Sequence, residues 1–504
     1  RMNWPVAPIL LPLMTALATL FWGRPGVGRR VFVGLSLAMQ LVVAVGLVIG
    51  TFNGQRYLLG LGAWPSKLGI VLVVDLMSAV MLALTAFVAL VAQIYGYVES
   101  SWRISHPLRL PLVQFMLVGI NLTYCTGDLF NLFVAFEVML IASYALLTLE
   151  ADDWDIRHAF PYVAMNLFGS ALFICACGLV YSKFGTLNLA GISVRAAGLD
   201  GSGVVTVIAL MLLLVFGIKA GMFPLHFWLP NSYPTLPVPL LALFGGVLTK
   251  VGVYVIIRVL ATVMPQELGG VHRLLGGLAM MTAVVGGFGA ISRPFIRGIL
   301  SFHIVSQVGL MLVAVSFMTP LGLAAALMVL WHNLVVKSSL FLIGGTAALL
   351  NRSDDLSKMG HLWRQTPWLG VLFLVQAFSL AGIPPLSGFW GKYLIVFSGL
   401  EKGAYLLVAG SIGVSVLTLF SMVKIWLATF WAEPDGVAVR TDDPRWRPMA
   451  WVIGVMALVS LVMGLGAEGL VKVATRAAEQ VLDQEGYVRA VESHLGKPGT
   501  EVKP

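Results

Sequence analysis

Apolar runs of about twenty residues alternate with short polar links along nearly the whole chain, and about twenty residues make one bilayer crossing as a helix. The runs predict about fourteen transmembrane helices, centred near Thr15, Leu41, Leu82, Gly119, Val138, Phe173, Leu214, Gly252, Met281, Ser306, Val335, Gln376, Thr418 and Leu458. No run alternates apolar and polar residues with a period of two, so helices are expected rather than the strands of a barrel. The expected class is all-α and polytopic, a single integral membrane domain over residues 1–504. The N-terminal run is long and followed at once by further runs, so it reads as a span and not as a cleaved signal. The Gly-rich link 52–68 is expected outside the membrane, 125–128 makes a tight turn, and after Val471 the chain becomes a charged amphipathic tail.

Two runs are interrupted. One starts near Val204, carries Lys219 between Gly217 and Gly221, and breaks at Pro224 ahead of a link containing Pro230, Pro234, Pro237 and Pro239. The other, FLVQAFSLAGIPPLSGFWGKYLIVF, breaks at Pro384-Pro385 with Lys392 beyond. Discontinuous helices in corresponding places point to a site built from an inverted repeat. The offset of five spans is odd, which gives the copies opposite orientations in the bilayer. Two inverted five-helix repeats are therefore expected at about residues 108–262 and 271–431, each with a discontinuous helix. Peripheral helices occupy about 4–98 and 448–470, and the polar tail about 471–504.

Composition narrows the class further. Hydrophobic residues make up 59% and charged residues 11%, far from soluble averages. The net charge of +9 comes with arginines in short loops, among them Arg24, Arg29, Arg30, Arg103, Arg109, Arg293 and Arg297. That is the positive-inside pattern and not a nucleic-acid surface, and it places both termini outside a bacterial cell membrane. Cys125, Cys175 and Cys177 match no zinc or redox spacing. Residues 464–469, GLGAEG, fit a dinucleotide fingerprint literally, but no strand precedes them. No nucleotide, metal or redox cofactor is expected.

The chemistry lies in charges placed at mid-membrane, where each costs roughly 2.5–3.5 kcal/mol on insertion scales. Glu137 sits centrally in NLFVAFEVMLIASYALL, with Tyr144 seven positions on as a candidate support. Lys250 follows Gly245-Gly246, and Gly246 leaves room beside its stem. Lys337 shares a helix face with Asn333, whereas His332 needs a π-bulge to join them. His303 and Gln307 lie four apart near Ser301 and Ser306, and His226 follows the first break. Asp75, Arg258 and Lys424 fall near helix ends and are expected at the interface, Asp75 wetted and the two cations snorkelling. Burial penalises the charged form of lysine and glutamate alike, so each can cycle a proton. The expected path is Glu137, Lys219, Lys250, Lys337 and Lys392 with His303 and His332. Glu137 holds the proton on Lys219, and its release drives that proton onward. Lys219 and Lys392 lie beside breaks; Lys250 and Lys337, in uninterrupted helices, form the drier pair.

The segments NLFVAFEVMLIASYALL, GIKAGMFPLHFWLPNSYPTLPVP, GGVLTKVGVY and LAGIPPLSGFWGKY resemble the antiporter-like subunits shared by Mrp-type cation/proton antiporters and the membrane arm of respiratory complex I. The resemblance covers about residues 30–430. It implies that Glu137 is the helix-five glutamate, Lys219 the broken-helix lysine, Lys250 the central lysine, Lys337 the relay position of helix eleven and Lys392 the helix-twelve lysine. Lysine at 392 and the short tail favour the Mrp branch. The implied function is proton translocation in a hetero-oligomeric Na⁺/H⁺ antiporter, without enzymatic chemistry, beside other membrane subunits in the lipid bilayer. No oxygen cluster suited to Na⁺ is visible, so protons are assigned to this chain. The alternative is a proton-pumping subunit of an NADH–quinone oxidoreductase or membrane hydrogenase. A scaffold without transport conflicts with the full lysine series.

Overall fold

The computed structural model describes residues 4–22, 26–61, 69–99, 106–199, 203–434 and 436–495. Arg24, Arg103, positions 62–68 of the link and the end of the tail after 495 lie outside the described residues. The chain opens with α1 (Ala7–Phe21) and α2 (Val27–Thr51), then the strands β1 (Tyr57–Gly60) and β2 (Val71–Val74). The first helical group follows: α3 (Leu76–Glu99), α4 (Arg109–Cys125), α5 (Leu129–Thr148), α6 (Asp153–Phe184), α7 (Leu189–Ala197), α8 (Gly203–Ala220), α9 (Trp228–Ser232), α10 (Val238–Leu243) and α11 (Thr249–Ile257). The second comprises α12 (Gly269–Ser292), α13 (Ile296–Ser316), α14 (Pro320–Asn351), α15 (Leu362–Gln365), α16 (Pro367–Ala381), α17 (Ser387–Glu401) and α18 (Tyr405–Ile425). After α19 (Trp446–Leu465), the tail forms α20 (Ala467–Leu482) and α21 (Gln484–Leu495).

Among the described residues, twelve helices are long and apolar enough to cross a membrane. The expected centres Gly119 and Gln376 fall on α4 and α16, which have 17 and 15 residues. The all-α expectation needs a small amendment, because β1 and β2 pair antiparallel, Tyr57 opposite Val74. Leu72 also bridges to Thr126, and Asp128 to Asn188, so the tight turn is stitched to the links beside it. The Asp128 carboxylate caps α5 by accepting from the Asn131 N–H at 2.8 Å.

Burial sorts the helices into a centre and a rim. The segment Val238–Val263 is wholly enclosed by protein, and α14 is buried from Gly322 to Ala347. In α2, by contrast, Val33, Leu37, Gln40, Ala44 and Leu47 are buried at helical spacing while Val31, Leu35, Val42 and Ile49 are exposed. An apolar outer face beside an apolar inner face suits a helix flanked by lipid.

Both interrupted helices end in the same local geometry. Gly221 (φ +75°) closes α8 and Gly382 (φ +90°) closes α16, each in the left-handed region that glycine enters without steric cost. The next residue donates five positions back, Met222 N–H to the Gly217 carbonyl at 2.9 Å and Ile383 N–H to that of Phe378 at 3.0 Å. Cis peptides follow at Phe223–Pro224 and Pro384–Pro385.

The tail docks on the helix ends. Thr262 Oγ1 donates to the Val481 carbonyl at 2.9 Å, and Gln484 Nε2 to that of Met264 at 2.6 Å. Elsewhere helices meet backbone to backbone. A Cβ on Gly309 would stand 2.3 Å from Ala283 N, and one on Gly286 would stand 2.3 Å from Ser306 N. Small residues at such crossings let membrane helices approach closely. Gly309→Val should therefore force α12 and α13 apart at a cost of about 1–3 kcal/mol. The expected result is a lower thermal-unfolding midpoint and less assembled protein after detergent extraction.

Candidate proton path

The N-terminal end of the path is a three-residue contact. α5 presents Glu137 half-buried, α8 presents Lys219 buried, and Ser170 of α6 stands between them. Ser170 Oγ donates to Glu137 Oε1 and accepts from Lys219 Nζ at 3.0 Å. Lys219 Nζ also donates to the Asn166 carbonyl at 2.8 Å. Carboxylate and ammonium thus meet through a hydroxyl. Gly169 makes the room, since a Cβ there would stand 3.5 Å from Lys219 Nζ. Tyr144 does not support Glu137 as expected: its hydroxyl is buried without a partner, and its ring packs edge-on to Tyr162 at 5.5 Å.

Lys250 is fully buried, but its helix is not uninterrupted. The segment Phe244–Leu248, one turn earlier, is π-helical. Gly245 and Gly246 set that turn against neighbouring side chains. A Cβ on Gly245 would stand 2.4 Å from Phe341, and one on Gly246 would stand 2.0 Å from Ser338 Oγ. Lys250 Nζ donates to the Gly245 carbonyl at 2.5 Å. A π turn disturbs the regular ladder, so it brings a carbonyl within reach of the lysine.

Lys337, in the middle of α14, is fully buried and its Nζ has no protein partner. Asn333 turns its amide to the Val329 carbonyl at 2.8 Å and leaves Oδ1 unpartnered. His332 reaches the second break without any π-bulge in α14: its Nδ1 lies 2.8 Å from Ser387 Oγ, at the start of α17. Ser387 in turn lies 2.8 Å from Ser379 Oγ and 3.2 Å from Ser460 Oγ. His303 sits apart from that cluster, with Nε2 2.6 Å from Ser421 Oγ on α18. Ser301 and Ser306 bond backbone carbonyls of Arg297 and Ala283. His226 leaves Nδ1 unpartnered and stacks on Phe223 at 6.0 Å.

Lys392 belongs to α17 and bonds back across the break. Its Nζ donates to the carbonyls of Leu380 at 2.8 Å and Ala381 at 2.9 Å. These are last-turn carbonyls of α16, the negative end of its dipole. Lys219 and Lys392 thus stand on opposite sides of their breaks, Lys219 just before Gly221 and Lys392 after Gly382.

Two end-of-helix expectations are corrected. Asp75 is fully buried instead of wetted, and Arg258 does not snorkel but donates to it twice, at 2.6 and 2.9 Å. Lys424 is half-buried and bonds the carbonyls of Ile291 and Arg293, both at 2.8 Å. Sequence reasoning missed Ser170, Asn166, Ser387 and Ser421. The one local signal was the Gly169-Ser170 pair inside an apolar run, which by itself names no partner.

The family model described as NADH:quinone oxidoreductase/Mrp antiporter, transmembrane, matches residues 126–418, which hold all seven path residues. The D subunit of the Na⁺/H⁺ antiporter from Alkalihalophilus pseudofirmus is 37% identical over 97% of this chain and 99% of its own length. That of Bacillus subtilis is 36% identical over 97% and 99%. A chain of the Mrp complex from Dietzia sp. DQ12-45-1b superposes with a TM-score of 0.89 at 28% identity, covering 98% of this chain and 100% of that one. The chain therefore belongs to the D-subunit family of Mrp-type antiporters, homologous to the antiporter-like subunits of respiratory complex I.

Removing the bridging hydroxyl is the direct test of the first contact. Hydrogen bonds to charged groups contribute about 1.5–3 kcal/mol. Ser170→Ala should lower cation/proton exchange by about tenfold or more in vesicles while leaving assembly of the complex unchanged.

Proposed function

We propose that this chain conducts protons as a membrane subunit of a multisubunit monovalent cation/proton antiporter, packed beside other membrane subunits in the cell membrane and making no enzymatic chemistry of its own. The relatives of matching length are named as Na⁺/H⁺ antiporter subunits, which favours this reading over a redox complex. The observation that carries it is the Glu137–Ser170–Lys219 contact, followed along the chain by the buried Lys250 and Lys337 and the half-buried Lys392. Lys337 Nζ, His332 Nε2, His303 Nδ1 and both amide atoms of Gln307 are buried without protein partners. Groups of that kind bind ordered water, and a proton path needs water between its stations.

The mechanism is a switch. A negative charge on Glu137, one hydroxyl away through Ser170, attracts a proton to Lys219. When Glu137 is neutralised or engaged elsewhere, that attraction is lost and the proton moves toward Lys250. Like-charge repulsion between Lys250 and Lys337, and between Lys337 and Lys392, then passes the displacement along. Residues 108–262 and 271–431 form two inverted five-helix repeats in this reading, supported by the matching glycine-ended breaks. Counting α4 and the α16–α17 pair as crossings gives about fourteen spans. The arginine-bearing loops at 23–30 and 292–297 then face the cytoplasm, and both termini lie outside.

Arginine substitution separates a relay from a set of fixed charges, because arginine keeps the charge but does not release its proton. Lys219→Arg, Lys250→Arg and Lys392→Arg should each be nearly as inactive as alanine, and Glu137→Ala should abolish exchange with the complex still assembled. Antiport in vesicles normalised for assembled complex measures this, and near-normal exchange by Lys250→Arg would sink the relay. Orientation is tested by labelling. A cysteine at the exposed Ser493, in a background without the native cysteines, should react with an impermeant maleimide in intact cells. Reaction only after permeabilisation would reverse the topology.

A further inference from the structure

The path described above leaves one fully buried carboxylate unused. Asp75 precedes α3 and receives the Arg258 fork, with Ser78 N–H donating to its Oδ1 at 3.0 Å. Arg258 Nη2 also donates to Ser78 Oγ at 3.2 Å and to the Tyr254 hydroxyl at 3.1 Å. The Tyr254 hydroxyl donates to the Tyr124 carbonyl at 2.9 Å and lies 2.8 Å from Ser78 Oγ. Lys250, Tyr254 and Arg258 are spaced four apart, so they share one helix face from mid-membrane to the tail side. The hydroxyl of Thr249, beside Lys250, is buried without a protein partner.

The outer end of this file meets a solvent-facing cavity. The Leu76 N–H, next in the chain after Asp75, donates to Gln480 Oε1 at 3.1 Å. Gln480 also lines an open polar cavity of about 510 Å³, with Arg56, Glu479 and Asp483 on its walls. A polar surface vestibule thus stands one side chain away from the residue adjoining Asp75. A buried ion pair is weak support for stability by itself. Its placement between a vestibule and the Lys250 face gives it another use.

We infer that Asp75 is a proton acceptor at the end of a branch linking Lys250, through Tyr254, to the tail-side surface, with Arg258 as the group that holds the branch closed. The inference rests on the proposed proton-conducting role of Lys250. In the forward step one N–H bond of the Lys250 ammonium breaks, leaving a neutral amine. Each hydroxyl or water on the way takes one proton and passes on another. The Asp75 carboxylate gains the last proton and gives up its bonds to Arg258, then releases that proton to vestibule water and pairs again. Charge and atoms balance without any co-reactant.

The test uses the complete complex in everted vesicles, with cation-driven proton exchange read by a pH-sensitive dye and normalised to assembled complex. Tyr254→Phe removes only the hydroxyl and should slow exchange about fivefold or more. Tyr95→Phe is the control, a buried tyrosine that loses two hydroxyl bonds against three for Tyr254, 3.1 Å to Leu342 O and 3.0 Å to Thr346 Oγ1, and it should stay within about twofold of wild type. Asp75→Asn combined with Arg258→Gln leaves no orphan charge, and a purely structural pair tolerates that change. A proton branch does not, so the double variant should lose about tenfold or more while Asp75→Glu keeps about half the rate. If the double variant fails to assemble, Tyr254→Phe and Gln480→Leu decide. Wild-type exchange by those variants beside an inactive Glu137→Gln overturns the branch and leaves the proposed function standing. Full exchange by Glu137→Gln with a slow Tyr254→Phe overturns the Glu137 switch and keeps the branch.

Discussion

An ammonium enclosed in a membrane protein must be met by oxygen, and three of the four path lysines are met by backbone carbonyls. Lys219 takes the carbonyl of Asn166, Lys250 that of Gly245, and Lys392 those of Leu380 and Ala381. Carbonyl dipoles solvate a cation without adding a formal negative charge. A carboxylate in direct contact would hold the proton far more tightly. Even Glu137 acts through the Ser170 hydroxyl. In the proposed relay, such a contact holds an ammonium away from bulk water yet loosely enough for it to change its proton. The irregular backbone follows from that need. The α16 end exposes carbonyls to Lys392, and a π turn brings one to Lys250.

Breaks of this kind survive at membrane depth only where protein or water encloses the freed groups. Burial is distributed accordingly. Val238–Val263 and the middle of α14, which carry Lys250 and Lys337, are enclosed, and α2 and α12 take more of the outer positions. Glycines at the crossings, such as Gly286 and Gly309, bring backbones close enough to seal the centre. Packing and chemistry are thus coupled: the enclosed centre keeps Lys250 and Lys337 from lipid, and the π turn and the α16 end supply carbonyl oxygen.

Asp75 and Arg258 follow the opposite rule. Their bidentate pairing fixes two opposite charges on each other, with Ser78 and Tyr254 completing the hydrogen bonds. Arginine stays protonated under such conditions, so this centre gates by parting and not by titrating its cation. The tail helices α20 and α21 lie over it, tied to Leu76, Thr262 and Met264. A segment that reads as a surface tail is thereby part of the wall around the Lys250 helix.

The sequence alone determined the membrane class, the two interruptions and the seven candidate path residues. Each of those rests on a local signal: hydrophobic run length, Gly and Pro at a break, or a charge where hydrocarbon penalises it. The glycine pair before Lys250 marked a close approach, yet a π turn leaves no periodic trace in five residues, and the helix read as regular. Partners across helices were decided only by the tertiary structure. Ser170 stands 33 positions from Glu137, Ser387 55 from His332, and Asp75 183 from Arg258. A serine in an apolar helix looks the same whether it bonds its own backbone, as Ser301 does, or bridges two charges, as Ser170 does. The interfacial reading of Asp75 and Arg258 failed for the same reason. Distance from a helix end is legible in sequence, whereas what lies over that end is set by how the chain returns: here α21, more than 200 residues later, covers it.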